Sequence, residues 1–92
     1  MEEERAHLVV NGKVQGVFYR ASAKEQADNL ELNGWVRNLQ GGSVEIIVEG
    51  RKENIKSFLD WCHKGPPNAF VSKIDTEYSK PTGEFSSFNI KY

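Results

Sequence analysis

The chain has 92 residues, 38% of them hydrophobic and 27% charged, with a formal net charge of −1. That length supports one hydrophobic core and not two, so residues 1–92 are expected to form a single domain. Near-neutral charge argues against a general binder of nucleic acid or of anionic membranes. No apolar run approaches the ~18 residues needed to cross a bilayer, and Met1-Glu2-Glu3-Glu4-Arg5 is too acidic to open a signal peptide. One cysteine, Cys62, excludes an internal disulfide and fits a reducing compartment. The expectation is a cytoplasmic protein with no membrane contact.

In chain order, His7 to Val14 alternates, with Leu8, Val10, Gly12 and Val14 on one face and His7, Val9, Asn11 and Lys13 on the other. This is the period of a half-buried strand. The following segment carries Ala23, Ala27 and Leu30 at helical spacing and ends at Asn33-Gly34, which reads as a helix stop. Its start is open: Ser22-Ala23-Lys24-Glu25 resembles a capping box, and a start one turn earlier, near Tyr19, also fits.

Trp35 to Leu39 and Val44 to Glu49 flank Gln40-Gly41-Gly42-Ser43 and read as a hairpin with Val44, Ile46 and Val48 facing the core. From Glu53 to Lys64, Ile55, Phe58, Leu59 and Cys62 sit at i, i+3, i+4 and i+7, the stripe of an amphipathic helix. Gly65-Pro66-Pro67 ends it. Phe70 to Tyr78 is a fourth strand and Ser79 to Ser86 a polar loop. Phe88, Ile90 and Tyr92 alternate along a last short strand. Two strand-helix-strand units in one small domain predict an α+β, ferredoxin-like split β-α-β sandwich, its mainly antiparallel sheet carrying both helices on one face. Such a fold hosts many functions, so function has to be read from sites.

Between the first strand and the first helix lies Gly12-Lys13-Val14-Gln15-Gly16-Val17-Phe18-Tyr19-Arg20. Residues Leu8 to Lys24 contain Lys13, Arg20 and Lys24 and no acid. A cation in the first turn of a helix opposes the helix dipole, and an anion held between Arg20 and the loop amides would explain it. Gly16 lets the backbone turn successive N–H groups inward, and Arg20 supplies a two-pronged fork for phosphate oxygens. A plain strand-to-helix connection with a surface arginine is the alternative. The nucleotide P-loop pattern is missing, no nucleophilic cysteine opens the loop, and His7 and His63 lack partners at metal-ligand spacing. No metal or other cofactor is therefore expected.

Val14-Gln15-Gly16-Val17-Phe18-Tyr19-Arg20 resembles the first signature of the acylphosphatases. Gly34-Trp35-Val36-Arg37-Asn38, followed by Gly42-Ser43-Val44, resembles their second. Gly50, Trp61 and Gly65-Pro66 also fall where that family's pattern places them, and the similarity runs from about His7 to Tyr92. One departure is Phe18-Tyr19, where relatives commonly carry a small residue and then phenylalanine. The resemblance implies a ferredoxin-like hydrolase of small acyl phosphates. Gln15, Gly16, Val17, Phe18, Tyr19 and Arg20 would bind the phosphoryl group, and Asn38 would hold the attacking water. Inorganic phosphate would be product or inhibitor, and a monomer would suffice.

Both assignments make chemical sense. The leaving carboxylate has a conjugate acid of pKa about 4, so no catalytic acid is needed. An amide oxygen can orient water but cannot act as a base near neutral pH. In isolation, Asn38 would read as a turn residue before a glycine pair. Two other readings exist. A binding module with the same strand order is one, disfavoured because the central strands lack base-stacking aromatics and carry Glu45 and Glu49. An accessory domain is the other, since acylphosphatase-like units also occur at the start of a larger carbamoyl-transferring hydrogenase-maturation protein.

Overall fold

In the computed structural model, which describes residues 2–92, the alternation of the first strand is realised as a strand with one face buried. Five strands and two helices follow in the order β1 (Glu3–Lys13), α1 (Tyr19–Asn29), β2 (Asn33–Asn38), β3 (Val44–Arg51), α2 (Lys52–Lys64), β4 (Phe70–Ser79) and β5 (Phe88–Ile90). They form one sheet of order β4-β1-β3-β2-β5. Every neighbouring pair is antiparallel except β2 and β5, which run parallel. The α+β, ferredoxin-like arrangement expected from the sequence is present.

Ala6, Leu8 and Val10 of β1, Val44, Ile46 and Val48 of β3, and Val36 of β2 bury one face of the sheet. Tyr19, Ala23 and Ala27 of α1 and Ile55, Phe58 and Cys62 of α2 join them in a single core cluster, so both helices cover that face. The opposite face carries cross-strand charge pairs. Arg5 Nη1 lies 2.7 Å from Glu49 Oε2, and Glu45 is held by His7 Nε2 at 2.7 Å and by Arg37 Nε at 2.6 Å. Glu45 and Glu49 are thus ion-paired. Their repulsion of a nucleic-acid backbone, expected from the sequence, is largely neutralised.

Several boundaries differ from the sequence reading. β1 begins at Glu3, because Glu3 to Ala6 pair with Arg51 to Val48 and extend the ladder toward the N-terminus. α1 begins at Tyr19, the earlier of the two starts the sequence left open, with Phe18 as its N-cap, so Ser22 lies inside the helix and caps nothing. It ends at Asn29, not Asn33: Leu30 is the C-cap, Glu31 adopts a left-handed φ of 56°, and Glu31 N and Leu32 N donate back to Asp28 O and Ala27 O.

Gly34 is consequently a strand residue rather than a helix stop. At its φ of 143° a Cβ would collide with the Ile47 carbonyl oxygen, so this position needs glycine for the close approach of β2 to β3. β5 ends at Ile90, although Lys91 N still donates to Val36 O at 2.8 Å. The Ser79 to Ser86 loop folds onto the open face, where Thr82 N and Gly83 N donate to the buried Glu49 carboxylate at 3.0 and 3.1 Å.

Candidate active site

Topology brings the two signature segments together. Val10 of β1 and Asn38 of β2 both pair with Val44 of the intervening β3. They therefore lie on one face of the sheet, two strand spacings or roughly 10 Å apart. β1 and β2 run in the same direction, each antiparallel to β3, so the loop that follows β1 and the end of β2 reach the same edge of the molecule.

The loop is shaped by two left-handed residues separated by one, Gly16 at φ 76° and Phe18 at φ 65°. Glycine adopts this conformation without strain, whereas for a bulky aromatic residue it is an outlier. A Cβ at Gly16 would meet nothing within 4 Å, so conformation and not space selects glycine there. Among the described residues, the backbone N–H groups of residues 16 to 21 donate to no protein acceptor. The first amide of α1 to do so is Ser22 N, to Phe18 O at 3.0 Å. No acid occupies the first turn of α1 and Phe18 provides no side-chain cap. The segment thus presents a run of free donors at the positive end of a helix.

These donors border a cleft of about 340 Å³ lined by Val14, Gly16, Phe18, Tyr19, Arg20, Ala21, Asn38, Ile90 and Tyr92. No Asp, Glu, His, Lys or Cys side chain lines it. Arg20 is half-buried, with its guanidinium carbon 5.1 Å from the centre of the Tyr92 ring. Stacking engages the face of the guanidinium and leaves its N–H edge free for an anion. Asn38 Oδ1 is buried and accepts no hydrogen bond. A buried acceptor in that state costs about 1–3 kcal/mol, and a small rotation of the amide toward the cleft would let water satisfy it.

The remaining sequence candidates have distinct places. Gln15 does not line the cleft; its Nε2 donates to Leu39 O and to Ser43 O, both at 2.8 Å, and so ties the loop to the β2–β3 turn. Val17 is buried and packs into the core. Tyr19 turns its side chain inward, where the phenol donates to Cys62 O at 2.7 Å. Pro66, four residues after Cys62, has no N–H to offer that carbonyl, and the phenol takes its place. Burial pushes the Tyr19 phenol far above its usual value and the Cys62 thiol up to about 12. Neither group ionises at neutral pH, and Cys62 is no nucleophile.

Ile90 and Tyr92 were not singled out for the site from the sequence, although the Phe88, Ile90, Tyr92 alternation already set them on one face of a last short strand. Among the described residues no group of three or more His, Cys, Asp or Glu side chains is placed to hold a metal ion.

Known proteins share this fold. A family model described as Acylphosphatase matches residues 6–90. A protein named Acylphosphatase from Pelotomaculum thermopropionicum is 46% identical over 92 residues, covering 100% of both chains. The crystal structure of acylphosphatase from Bacillus subtilis superposes with a TM-score of 0.94 at 34% identity, covering 97% of this chain and 99% of that one. T. kodakarensis HypF contains the same fold as 12% of its length, with a TM-score of 0.84 and 34% identity over 97% of this chain. A family match across the two signature segments, with relatives that correspond end to end, places this chain in the acylphosphatase family.

Proposed function

We infer that the protein is an acylphosphatase, a hydrolase that cleaves the carboxyl-phosphate anhydride of small acyl phosphates to a carboxylate and inorganic phosphate. The observation that carries the site assignment is the meeting of Arg20, from α1, and Asn38, from β2, in one cleft beside the free amides of residues 16 to 21.

In this reading the amides and the Arg20 fork neutralise the phosphoryl oxygens, for which backbone donors at a helix N-terminus and a planar guanidinium are suited. Gly16, Phe18, Tyr19 and Arg20 contribute through the backbone. Val17 anchors the loop from the core, and Gln15 holds it against the turn. Asn38 accepts a hydrogen bond from the attacking water and directs a lone pair at phosphorus. The water oxygen bonds to phosphorus as the bridging P–O bond breaks, and its electron pair leaves with the carboxylate. Because that carboxylate is a stable anion near neutral pH, no side chain has to protonate it. The water's proton passes to a phosphoryl oxygen of the substrate, consistent with a cleft lined by no carboxylate or imidazole. Positioning and charge stabilisation account for catalysis.

Inorganic phosphate, which shares the phosphoryl oxygens, should inhibit competitively. A monomer suffices, since one chain supplies both Arg20 and Asn38. Hydrolysis of benzoyl phosphate with excess chelator, alongside Arg20→Gln, tests the assignment. Turnover by the parent and its near-complete loss in the variant are expected. No turnover by the folded parent would overturn it.

A further inference from the structure

Phe18 carries two costs that no core packing of its side chain offsets. Its φ of 65° lies in a region that bulky side chains avoid. Its ring is also 80% exposed, so no core packing offsets the strain. Observed strain at a cleft is a reason to look for a functional contact. Tyr92, fully exposed, is the other exposed large aromatic lining the same cleft, and Ile90 adds an apolar side chain to the lining. The polar groups of the cleft, Arg20, Asn38 and the loop amides, are all claimed by the phosphoryl group and the water in the reading above. An acyl phosphate has a second half, and among the described residues the rest of the cleft lining left for it is apolar and aromatic.

We propose that Phe18, with Tyr92 beside it, forms the seat for the acyl group and makes the enzyme selective for acyl phosphates with aromatic or extended apolar acyl chains over those with acetyl-sized or carbamoyl groups. This rests on the acylphosphatase reading and specifies its substrate class. The chemistry is direct. A ring on the substrate removes water from the exposed faces of Phe18 and Tyr92, with the added preference of aromatic pairs for offset or edge contacts. A methyl or amino group is too small to reach across that surface. The left-handed backbone at position 18 turns this side chain outward while the helix that begins at Tyr19 continues inward. In this proposal, strain at one residue separates the group that meets the acyl chain from the group that packs the core.

The test compares kcat/KM for benzoyl phosphate and acetyl phosphate in the parent, in Phe18→Asn and in Phe18→Gly. Asparagine and glycine both accept the left-handed conformation, so the loop keeps its path, and far-UV circular dichroism checks the fold. Taking the ratio of the two substrates within each protein and comparing ratios between proteins cancels their intrinsic reactivities. The benzoyl-to-acetyl ratio should fall about tenfold in both variants, equivalent to about 1.4 kcal/mol. An unchanged ratio in variants that remain active would overturn the proposal. So would an equal loss on both substrates accompanied by loss of phosphate inhibition, because the side chain would then only shape the loop. Turnover of neither substrate by the folded parent would instead overturn the hydrolase reading, and this inference with it.

Discussion

Gln15 and Leu39 are joined by a 2.8 Å hydrogen bond from the Gln15 side-chain amide to the Leu39 carbonyl, and the same Nε2 reaches Ser43 O at 2.8 Å. One side chain thereby fixes the loop that begins at the end of β1 against the turn that begins one residue after Asn38. Ser43 Oγ extends the tie by donating to Asn11 Oδ1 at 2.7 Å. Loop amides and Asn38 belong to segments more than 15 residues apart, so their relative position depends on such contacts. Gln15 acts as a positioning residue.

Gln15→Ala should therefore lower kcat by about tenfold or more, since displacements near 1 Å can cost up to about a hundredfold in rate. Stability should fall by only about 1 kcal/mol, because Leu39 O and Ser43 O each keep a second donor, Gly42 N and Leu39 N respectively. Steady-state kinetics with benzoyl phosphate, paired with urea unfolding, checks both parts. A variant with parental kcat would show that the loop and turn hold their places without the tie.

Arg20→Gln and Asn38→Ala should fail differently. Removing the guanidinium takes away the charge that the proposed function assigns to the phosphoryl group in substrate and transition state, so kcat/KM should drop by about 10²–10³, on the order of 3–4 kcal/mol, and inhibition by phosphate should weaken with it. Asn38→Ala should reduce kcat while leaving the phosphate inhibition constant near the parental value, because the proposed function assigns the amide to the attacking water. Inhibition assays on the two variants separate these roles. Weakened phosphate inhibition in Asn38→Ala would mean that the amide binds phosphate directly.

Tyr19→Phe isolates a core role for a residue inside the first signature. The variant leaves Cys62 O with no donor, since Pro66 cannot replace the phenol, and a buried unpaired carbonyl costs about 1–3 kcal/mol. For a domain of this size the melting temperature should fall by about 4–8 °C per kcal/mol. Activity at temperatures well below the transition should stay close to that of the parent, because the hydroxyl points into the core. A large loss of turnover in the folded variant would place the phenol in the chemistry.

Acid sensitivity should come from the open face of the sheet and not from the cleft. Burial by itself would raise the Glu49 carboxyl. The Thr82 and Gly83 amides, the Thr82 hydroxyl and Arg5 outweigh it and hold the group below its ordinary value. Glu45 is also lowered: burial opposes the shift, and His7 and Arg37 prevail. A carboxyl depressed in the folded state stabilises the protein above the unfolded value of about 4.3 and loses that contribution as pH falls through the folded value. Unfolding free energy should thus decline below about pH 4.5. Glu49→Gln should be less stable at pH 7 and should show a shallower decline in acid. Turnover between about pH 5 and 7 should be flat. A bell-shaped profile with a histidine-like midpoint in that range would require a titrating catalytic group and would contradict proton transfer to the substrate.

The sequence by itself determined the strand faces, the order of elements and the segment that carries the candidate site. Period-2 alternation in His7 to Val14 and the i, i+3, i+4, i+7 stripe from Ile55 to Cys62 follow from burying one face, a constraint that acts on neighbours along the chain. The glycine loop and the arginine were legible for the same reason. What only the tertiary structure decided is set by partners distant in sequence. Gly34 reads locally as a helix stop, yet the Ile47 carbonyl across the sheet is what requires glycine there. Tyr19 falls inside a phosphate-loop signature, yet its side chain answers to the Cys62 carbonyl, 43 residues away. Glu45 and Glu49 look like free negative charge until β1 and β2 bring His7, Arg5 and Arg37 beside them. Tyr92 gains its place over Arg20 only because β5 pairs in parallel with β2 at the sheet edge. Local periodicity records which side of an element is buried; the identity of the atoms that meet it is a property of the assembled sheet.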